Sequence, residues 1–485
     1  MTTTKYTYRF LARLIIEAKT PLAVGSGEKD ITSDALVATD VNGLPYIPGT
    51  AIAGVIRHMI GEPNAEKFFG WQKDDKGHGS EIIFTDAKIL DSKCKVIDGL
   101  NLKVFDDPLL KHYKSLPIRQ HVRINTKGSA DTENHGKFDN QVCYAGTRFC
   151  FEIEMVATDK DTSNFDKVLN TLKNQTFRIG SGTRNGLGDI KIVDLQTQTL
   201  DLANGGLKDY LRKASNLDSD FWNKNYSPKG KDKDLPDGWD RIYFEIKAKD
   251  FFLFGSGFGD EDVDMTPVSD AKVEWDKKTK TGELKEKLVL MPATSLKGAL
   301  AHRVAYHWNR LNRIFIGGKN DVYKYIAGDK ITNPAVKVLF GYEENRMENG
   351  KQVTIQTRGN LIFSDVIQNE INPENENTQV HVSIDRFTGG AKSKSGALFT
   401  EKNVFGEGII FPIEIFRDNT SIQNEAKAVF DSLPDELKMH IGSESAFLDT
   451  TNKALDAAIC DLKKGMLPLG GGSSRGNGVF VEAIN

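Results

Sequence analysis

Aspartates in two glycine-containing loops are the residues of this chain whose type and spacing best suit chemistry. Asp34 and Asp40 are six positions apart in ITSDALVATD, and Asp270 and Asp276 are six positions apart in PVSDAKVEWD. An ionised carboxylate can accept a proton or hold a divalent cation, and aspartate also caps turns. The repeated spacing makes Asp34 and Asp270 candidate functional residues, with turn formation as the alternative.

Two glycine-rich segments, GSGTRNGLG and GGGSSRGNG, share four glycines in one ungapped register. Neither ends in the Lys-Ser or Lys-Thr of a P-loop, and both depart from the dinucleotide-binding fingerprint, which argues against ATP and NAD. Glycine lets a backbone approach a phosphate that an arginine also binds, although a tight turn against a sheet needs glycine equally. The residues concerned are Gly180, Gly182, Arg184, Gly470, Gly472 and Arg475.

The elements that must position these residues occur twice in the same order. TYRFLARLIIEAKTPLAVGSG is matched by RIYFEIKAKDFFLFGSG, each an alternating, strand-like run that ends in Gly-Ser-Gly. Pro48 precedes Thr50 as Pro292 precedes Thr294, and each threonine stands before an apolar-periodic run, which predicts a helix that the threonine caps. FTDAKI also matches FSDVI, and HVRIN matches HVSID. These ordered matches indicate an internal duplication.

Length and composition agree with two globular units. The 485 residues exceed the usual size of one domain, and 39% hydrophobic with 27% charged residues is typical of soluble proteins. The turn-rich, lysine-rich stretch 201–239 is the predicted linker, which gives domains at 1–200 and 240–485. The four scattered cysteines argue against a disulfide framework or a zinc site. Without a signal-peptide pattern or a long apolar run, we expect a cytoplasmic protein with no membrane partner.

The order of elements predicts an α+β fold in each half. Each half should run strand, loop, helix, strand, a long interrupted segment, then helix and a closing strand. This order matches the split β-α-β arrangement of ferredoxin-like domains, which RNA-recognition modules also use. The formal net charge of −3 gives no general attraction to a polyanion, so RNA binding would require a local basic stripe.

In combination, these motifs resemble the RAMP superfamily. The resemblance rests on the Gly-Ser-Gly turn, LPYIPGTAIAG and LMPATSLKGAL, the VRIN and VSIDR segments and the terminal Gly-Arg loop, and it covers both halves. More narrowly, the chain is similar to the backbone subunits of type III CRISPR effector complexes, with two subunits fused in tandem. The resemblance implies two ferredoxin-like (RRM-like) palms with inserted β-hairpin thumbs near 125–143 and 385–400. It also implies a prokaryotic subunit that stacks along CRISPR RNA beside other effector subunits.

The resemblance also implies the site residues. It assigns the family's catalytic loop aspartate to Asp34 and Asp270, with Asp30 and Asp264 as secondary candidates in the same loops. The implied activity is cleavage of target RNA assisted by Mg²⁺ or Mn²⁺, with Asp34 and Asp270 as the metal ligands. RNA contacts are expected from the first helices, the thumbs and the glycine loops. These candidates are Arg57, His58, Arg123, Gly180, Gly182, Arg184, Lys297, Arg303, Arg386, Lys392, Lys394, Gly470, Gly472 and Arg475.

Two other functions are compatible with the motifs. A non-catalytic RNA-binding scaffold in the same complex would keep the fold and use the aspartates only in turns. A CRISPR RNA processing endoribonuclease typically relies on a histidine acid-base site. His121 and His381 share a repeat position, but a hydrogen-bonded strand histidine accounts for each of them, which disfavours the processing enzyme.

Overall fold

The chain folds into two α+β halves, and the prediction of a mixed α+β protein is confirmed. We call the described residues up to 222 the first half and those from 235 onward the second half. The computed structural model describes residues 6–28, 35–122, 136–222, 235–315, 333–348, 351–370, 373–392 and 398–483.

Nine strands and four α-helices make up the described part of the first half. In chain order they are β1 (Tyr8–Ala18), α1 (Gly49–Ile60), α2 (Glu66–Phe69), β2 (Trp71–Lys73), β3 (Lys76–His78), β4 (Ile82–Phe84), β5 (Lys88–Ile89), β6 (Ile118–Val122), β7 (Lys137–Gln141), β8 (Arg148–Ala157), α3 (Ser163–Leu172), β9 (Ile190–Asp201) and α4 (Leu207–Arg212).

The described part of the second half contains twelve strands and five α-helices. They are β10 (Trp239–Ala248), β11 (Phe251–Phe252), β12 (Ser269–Trp275), β13 (Gly282–Met291), α5 (Ala293–Leu311), α6 (Pro334–Phe340), β14 (Gly341–Glu348), β15 (Lys351–Arg358), β16 (Leu361–Phe363), β17 (Val366–Glu370), β18 (Glu376–Val382), β19 (Leu398–Phe405), β20 (Ile410–Asp418), α7 (Asn419–Ser432), α8 (Asp435–Ile441), α9 (Glu444–Lys463) and β21 (Phe480–Glu482).

The main sheet of the first half has the antiparallel order β4-β8-β1-β9, with β5 also paired to β8. Successive side chains of β1 point to opposite faces of the sheet, and nearly all of them are buried, so both faces of the strand are covered. Phe10 and Leu14 pack with Ile52 of α1, while the opposite face meets Leu217 and Trp222. Part of the predicted linker therefore covers the outer face of this sheet.

The main sheet of the second half repeats this order as β16-β20-β10-β21, again antiparallel. In each half the third main strand pairs with the first and second, and the fourth pairs with the first. The second core joins Phe244 and Ile246 of β10 to the helices, with Trp308 of α5 fully buried against Phe447 of α9. Each sheet thus places its loops and helix starts in equivalent positions.

The predicted helices begin at the expected places, but the predicted caps are wrong. α1 and α5 each start directly after a proline, and Thr50 and Thr294 lie inside the first turn without capping it. The first backbone N–H of α1 instead donates to Asp86 Oδ1 at 3.0 Å, and that of α5 donates to Asp365 Oδ1 at 2.8 Å. A carboxylate distant in the chain therefore takes the capping role.

Each half also carries an antiparallel hairpin outside its main sheet, and in the second half β11 pairs with this hairpin through β19. His121 on β6 faces Phe138 on β7, as His381 on β18 faces Phe399 on β19. The matched pairs show that β6–β7 and β18–β19 are equivalent hairpins. Residues 125–135 and 393–397 of the predicted thumbs lie outside the described residues.

Candidate nucleic-acid interface

The described ends of the two aspartate loops pair in the same way, which identifies their corresponding residues. Gly25 pairs with Val37 in the first half, and Gly255 pairs with Pro267 in the second. A matching backbone hydrogen bond of 2.9 Å follows in each loop. The loops therefore correspond without a gap, at a constant offset of 230 positions.

This register changes which aspartates are equivalent. Ala35 bridges β7, and Met265 bridges β19, the same strand of the equivalent hairpin. Asp34 and Asp264 immediately precede these residues in the sequence. They are therefore at equivalent positions in the two halves. The prediction that Asp34 corresponds to Asp270 is wrong.

The spacing of the aspartates alone could not show which aspartate of the second half corresponds to Asp34. Asp264, Asp270 and Asp276 follow one another at six-residue intervals, so two different pairs reproduce the spacing of the first loop. The structural register assigns Asp40 to Asp270. Asp276 belongs to the longer hairpin β12–β13, where its carboxylate accepts backbone N–H groups in the turn.

Asp264 is an exposed carboxylate of the second loop, as are Asp260, Glu261 and Asp262. Its Oδ2 accepts hydrogen bonds from the backbone N–H and the hydroxyl of Thr400, both at 2.8 Å. These bonds favour the ionised form and hold the pKa of Asp264 below its usual value. A carboxylate with a low pKa is a weak base, so it is better suited to binding a cation than to abstracting a proton. Asp34 and Asp30 lie outside the described residues.

Metal binding was predicted for the aspartate loops. Within the described part of the chain, no group of three or more His, Cys, Asp or Glu side chains converges as a metal site. Asp260, the counterpart of Asp30, accepts backbone hydrogen bonds in its own turn and lies 3.2 Å from Lys402. Asp264 offers one exposed carboxylate, which fits the way Mg²⁺ commonly binds, through one or two carboxylates together with water and phosphate oxygens.

Asp270 is buried between the halves. Its side chain is 4% exposed, and its Oδ2 accepts a hydrogen bond of 2.6 Å from Arg119 on β6. The same guanidinium lies 3.3 Å from Asp365. Burial raises the pKa of Asp270, and Arg119 opposes that rise. The ion pair with Arg119 links the two halves. Asp270 is buried in this pair, so its carboxylate is not accessible to a phosphate from solvent.

The glycine loops keep the predicted register. A Cβ on Gly180 would press on the carbonyl oxygen of Ala23, and one on Gly470 would overlap the carbonyl oxygen of the corresponding Leu253. Both glycines have positive φ, 88° and 84°. Turn geometry and close backbone approach therefore require these glycines, whatever else they contact.

The two arginines of the glycine loops are not at equivalent positions, because the residue that corresponds to Arg475 in the first half is Asn185. Arg184 lies between the halves, where its Nε donates to the carbonyl oxygen of Gly359 at 3.0 Å and burial lowers its pKa to about 10. Lys297 donates to Asn185 Oδ1 at 2.9 Å, and burial lowers its pKa to about 8. These two predicted RNA ligands therefore contribute to the contact between the halves. We call this contact the seam, formed by Arg119, Arg184, Asn185, Gly186, Asp270, Lys297 and Asp365.

Replacing Gly186 with alanine is expected to destabilise the protein more than replacing Gly476. Their φ values are 104° and 97°, so both changes incur a backbone cost of roughly 1–3 kcal/mol. Only Gly186 is crowded, since its Cβ would overlap Asp365 Oδ1, whereas a Cβ on Gly476 meets nothing within 4 Å. In urea unfolding, Gly186→Ala should lose about 1–3 kcal/mol more than Gly476→Ala. Equal losses would show that the seam does not crowd this position.

Arg475 is fixed beside the aspartate loop of the second half. It donates to both carboxylate oxygens of Glu401, at 2.8 and 2.7 Å, while its own side chain stays 43% exposed. His381 lies 3.1 Å from the same carboxylate. The backbone of Glu401 bridges Met265, the residue after Asp264, so Arg475 is anchored to the same strand that contacts the aspartate loop. This arrangement can bind a phosphate at a defined place.

Sequence reasoning missed several polar residues that support these sites. The repeat FTDAKI and FSDVI carried a signal for the two helix-capping aspartates, whereas the other residues act through neighbours distant in the chain. The missed residues are Asp86, Asp365, Glu401, Asn403 and Asn477.

The basic residues predicted on the first helices have protein partners. Arg57 pairs with Glu62 at 2.8 Å, and Arg303 pairs with Asp461 on α9 at 2.6 Å. The ring of His58 lies 3.1 Å from a guanidinium of the second half. Any RNA contact by these groups would therefore compete with an existing ion pair or hydrogen bond.

The predicted basic residues of the second hairpin, unlike those of the first helices, are exposed where the structure describes them. Arg386 and Lys392 are exposed after β18, on either side of the fully exposed Phe387. Arg123 and Lys394 lie outside the described residues. Exposed cations around an exposed aromatic ring are suited to a nucleic-acid backbone and its bases.

The fold and these sites define a duplicated α+β protein in which each half has the same loop, hairpin and glycine turn. The model of the RAMP superfamily matches residues 15–191 and 279–481, one region in each half. The chain belongs to the RAMP superfamily, and its two matched regions agree with a tandem fusion. Membership indicates a subunit of a CRISPR-associated multi-subunit complex. No curated protein matches the chain. Among the described helices, none is long and apolar enough to span a membrane.

Proposed function

We propose that this chain is a backbone subunit of a type III CRISPR ribonucleoprotein that binds CRISPR RNA and cuts complementary target RNA at two positions. The observation that carries the proposal is the repeated loop in which the residues that follow Asp34 and Asp264, Ala35 and Met265, bridge equivalent strands. An exposed Asp264 with a lowered pKa, and a half-exposed Arg475 bound to the same strand that contacts this loop, support a role on RNA phosphate.

Each half is proposed to be a ferredoxin-like palm with a hairpin thumb. The strand order supports the palm, because the first strand of each main sheet lies between the third and fourth. One or more helices follow the first strand and the third, as the fold requires. The hairpins β6–β7 and β18–β19 support thumbs that begin there.

Cleavage would proceed by attack of a ribose 2′-oxygen on the adjacent phosphorus. The new oxygen–phosphorus bond replaces the bond to the 5′-oxygen, solvent takes the 2′-hydroxyl proton, and the 5′-oxygen leaves with a proton from solvent. Asp34 and Asp264 would hold Mg²⁺ or Mn²⁺, which when bound supplies charge stabilisation at the phosphate. The low pKa of Asp264 keeps its carboxylate ionised for that role at neutral pH.

Cleavage mapping tests the proposal. The complex is reconstituted with a guide RNA and a labelled complementary target, and the products are resolved on a sequencing gel with and without EDTA. We expect two cuts that depend on this chain and on a divalent cation. A complex that binds the target but leaves it intact would instead identify a non-catalytic scaffold.

Salt dependence tests the predicted RNA contacts of the second hairpin. Each phosphate contact with single-stranded RNA contributes a slope of roughly 0.7 to the fall of log affinity with log salt. Replacing both Arg386 and Lys392 with alanine should lower that slope by about 1.4 in filter-binding titrations. Arg212→Ala, on the exposed side of α4, is the matched control and should leave it unchanged. An unaltered slope in the double variant would show that neither residue contacts an RNA phosphate.

A further inference from the structure

Thr400 is bound directly to the candidate aspartate of the second half. It lies on β19, opposite Val380 of β18, and is partly buried. Its hydroxyl and its backbone N–H both donate to Oδ2 of Asp264, each at 2.8 Å. The same hydroxyl accepts the backbone N–H of Asp264 at 3.0 Å. One threonine therefore contacts both the backbone and the carboxylate of this aspartate.

The two carboxylate oxygens of Asp264 are bonded differently. Both donors of Thr400 contact Oδ2, and among the described residues no donor contacts Oδ1. Two hydrogen bonds to one oxygen restrict rotation of the carboxylate and so fix the place of the other oxygen. Carboxylates that bind metal ions are commonly held by such hydrogen bonds. Oδ1 is therefore the oxygen of Asp264 that is available to a cation.

The other acidic side chains of this loop are held differently or not at all. Asp260 accepts two backbone N–H groups in its own turn and pairs with Lys402 at 3.2 Å. In the described structure, no hydrogen bond fixes the exposed carboxylates of Glu261 and Asp262. Of these four acidic residues, Asp264 alone combines a carboxylate fixed by a neighbouring strand with an oxygen that no cationic side chain neutralises.

The backbone holds the loop against β19 without help from the hydroxyl. The N–H groups of Asp264 and Met265 donate to the carbonyl oxygen of Thr400 at 3.0 and 3.1 Å. The N–H of Lys402 donates to the carbonyl oxygen of Met265 at 2.9 Å. Valine has the branched shape of threonine and is favoured in strands. Thr400→Val therefore removes a donor from the carboxylate while these backbone bonds remain.

The first half has a different residue at this position. The bridges from the aspartate loops to β7 and β19 align Asp139 with Thr400. An ionised carboxylate has no hydrogen to donate, so Asp139 cannot supply the bond that the hydroxyl of Thr400 makes. A change at Thr400 therefore affects the site of the second half only, and the first half serves as a reference within the same molecule.

We propose that Thr400 is a positioning residue, whose hydroxyl fixes Oδ2 of Asp264 so that Oδ1 is free to hold a divalent cation beside an RNA phosphate. A carboxylate that is already oriented loses less freedom when the cation binds. Removing a hydrogen-bond partner of this kind commonly lowers metal affinity by roughly 10- to 100-fold. The inference rests on the proposed role of Asp264 as a cation ligand. It does not require that the bound RNA is cut.

Titration with Mn²⁺ tests this role without cleavage. The complex is reconstituted with guide RNA and a target that lacks the 2′-hydroxyls at the cut sites, and EPR records the free ion. The ion that Asp264→Asn removes is the one bound in the second half. Thr400→Val should weaken its binding by about tenfold or more, whereas Thr400→Ser, which retains the hydroxyl, should keep most of the affinity. Thr378→Val removes an exposed hydroxyl from the same face of the hairpin and should bind like wild type.

A cleavable target gives a second readout. Thr400→Val should raise the Mg²⁺ concentration for half-maximal rate at the cut that Asp264→Asn eliminates, and leave the other cut unchanged. The proposal is overturned if Asp264→Asn removes no ion, if Thr400→Val binds Mn²⁺ like wild type, or if Thr400→Ser loses as much affinity as Thr400→Val. A complex that binds the ion through Asp264 but leaves the target intact would refute cleavage alone, so failure of the two proposals can be told apart.

Discussion

Asp34→Asn combined with Asp264→Asn will eliminate both target cuts, whereas Asp34→Asn combined with Asp270→Asn will eliminate one. The backbone register places Asp264, and not Asp270, at the position of Asp34. Asp264 is exposed and ionised, while Asp270 is enclosed with Arg119. The rate of each affected cut should fall by roughly 10²-fold or more, the lower end of what is lost when one electrostatic stabiliser of a transition state is removed.

The measurement is single-turnover cleavage of a labelled target, with both products quantified separately. Guide and target affinity is measured in parallel and should stay within about twofold of wild type, because one exposed carboxylate makes no attractive contact with phosphate in the absence of metal. Persistence of both products in the Asp34→Asn, Asp264→Asn variant would contradict the assignment. Loss of both in the Asp270 combination, with normal stability, would restore Asp270 as the second catalytic residue.

Arg119→Ala will destabilise the protein by roughly 3–5 kcal/mol, the usual cost of removing one member of a buried ion pair. The guanidinium lies 2.6 Å from Asp270 and 3.3 Å from Asp365, and the two carboxylates are 4% and 3% exposed. Without Arg119, two buried carboxylates face each other with no cation between them. Urea unfolding measures the loss. Lys453→Ala, which breaks the exposed pair with Asp449, is the control and should cost less than about 1 kcal/mol.

The loss caused by Arg119→Ala should depend on pH. Burial raises the pKa of both carboxyls, and Arg119 opposes that rise, so the variant raises their folded-state pKa further. Between the unfolded and the folded pKa, the native state binds more protons, so stability falls as pH rises. The deficit of the variant should therefore be largest near neutral pH and shrink on acidification. Adding Asp270→Asn to Arg119→Ala should recover part of the stability at pH 7, and no recovery would show that charge is not the cause.

Much of the architecture follows from local patterns. Strand-like runs, helix starts after Pro48 and Pro292, and the shared register of the glycine loops all appear in the structure where the sequence predicts them. These features depend on residues a few positions apart, so the chain specifies them before any long-range contact forms. The resemblance to the RAMP superfamily, confirmed by the family match, rests on the same local motifs.

The duplication, the α+β character and the family were determined by the sequence alone, but the roles of individual aspartates and arginines were decided by tertiary structure. The three equally spaced aspartates of the second half became distinguishable only through the backbone bridges of the aspartate loops. Arg119 and Asp270 are 151 positions apart, and Arg184 and Gly359 are 175 apart. Contacts between residues so distant leave no local pattern, because burial and pairing depend on how the two halves pack together.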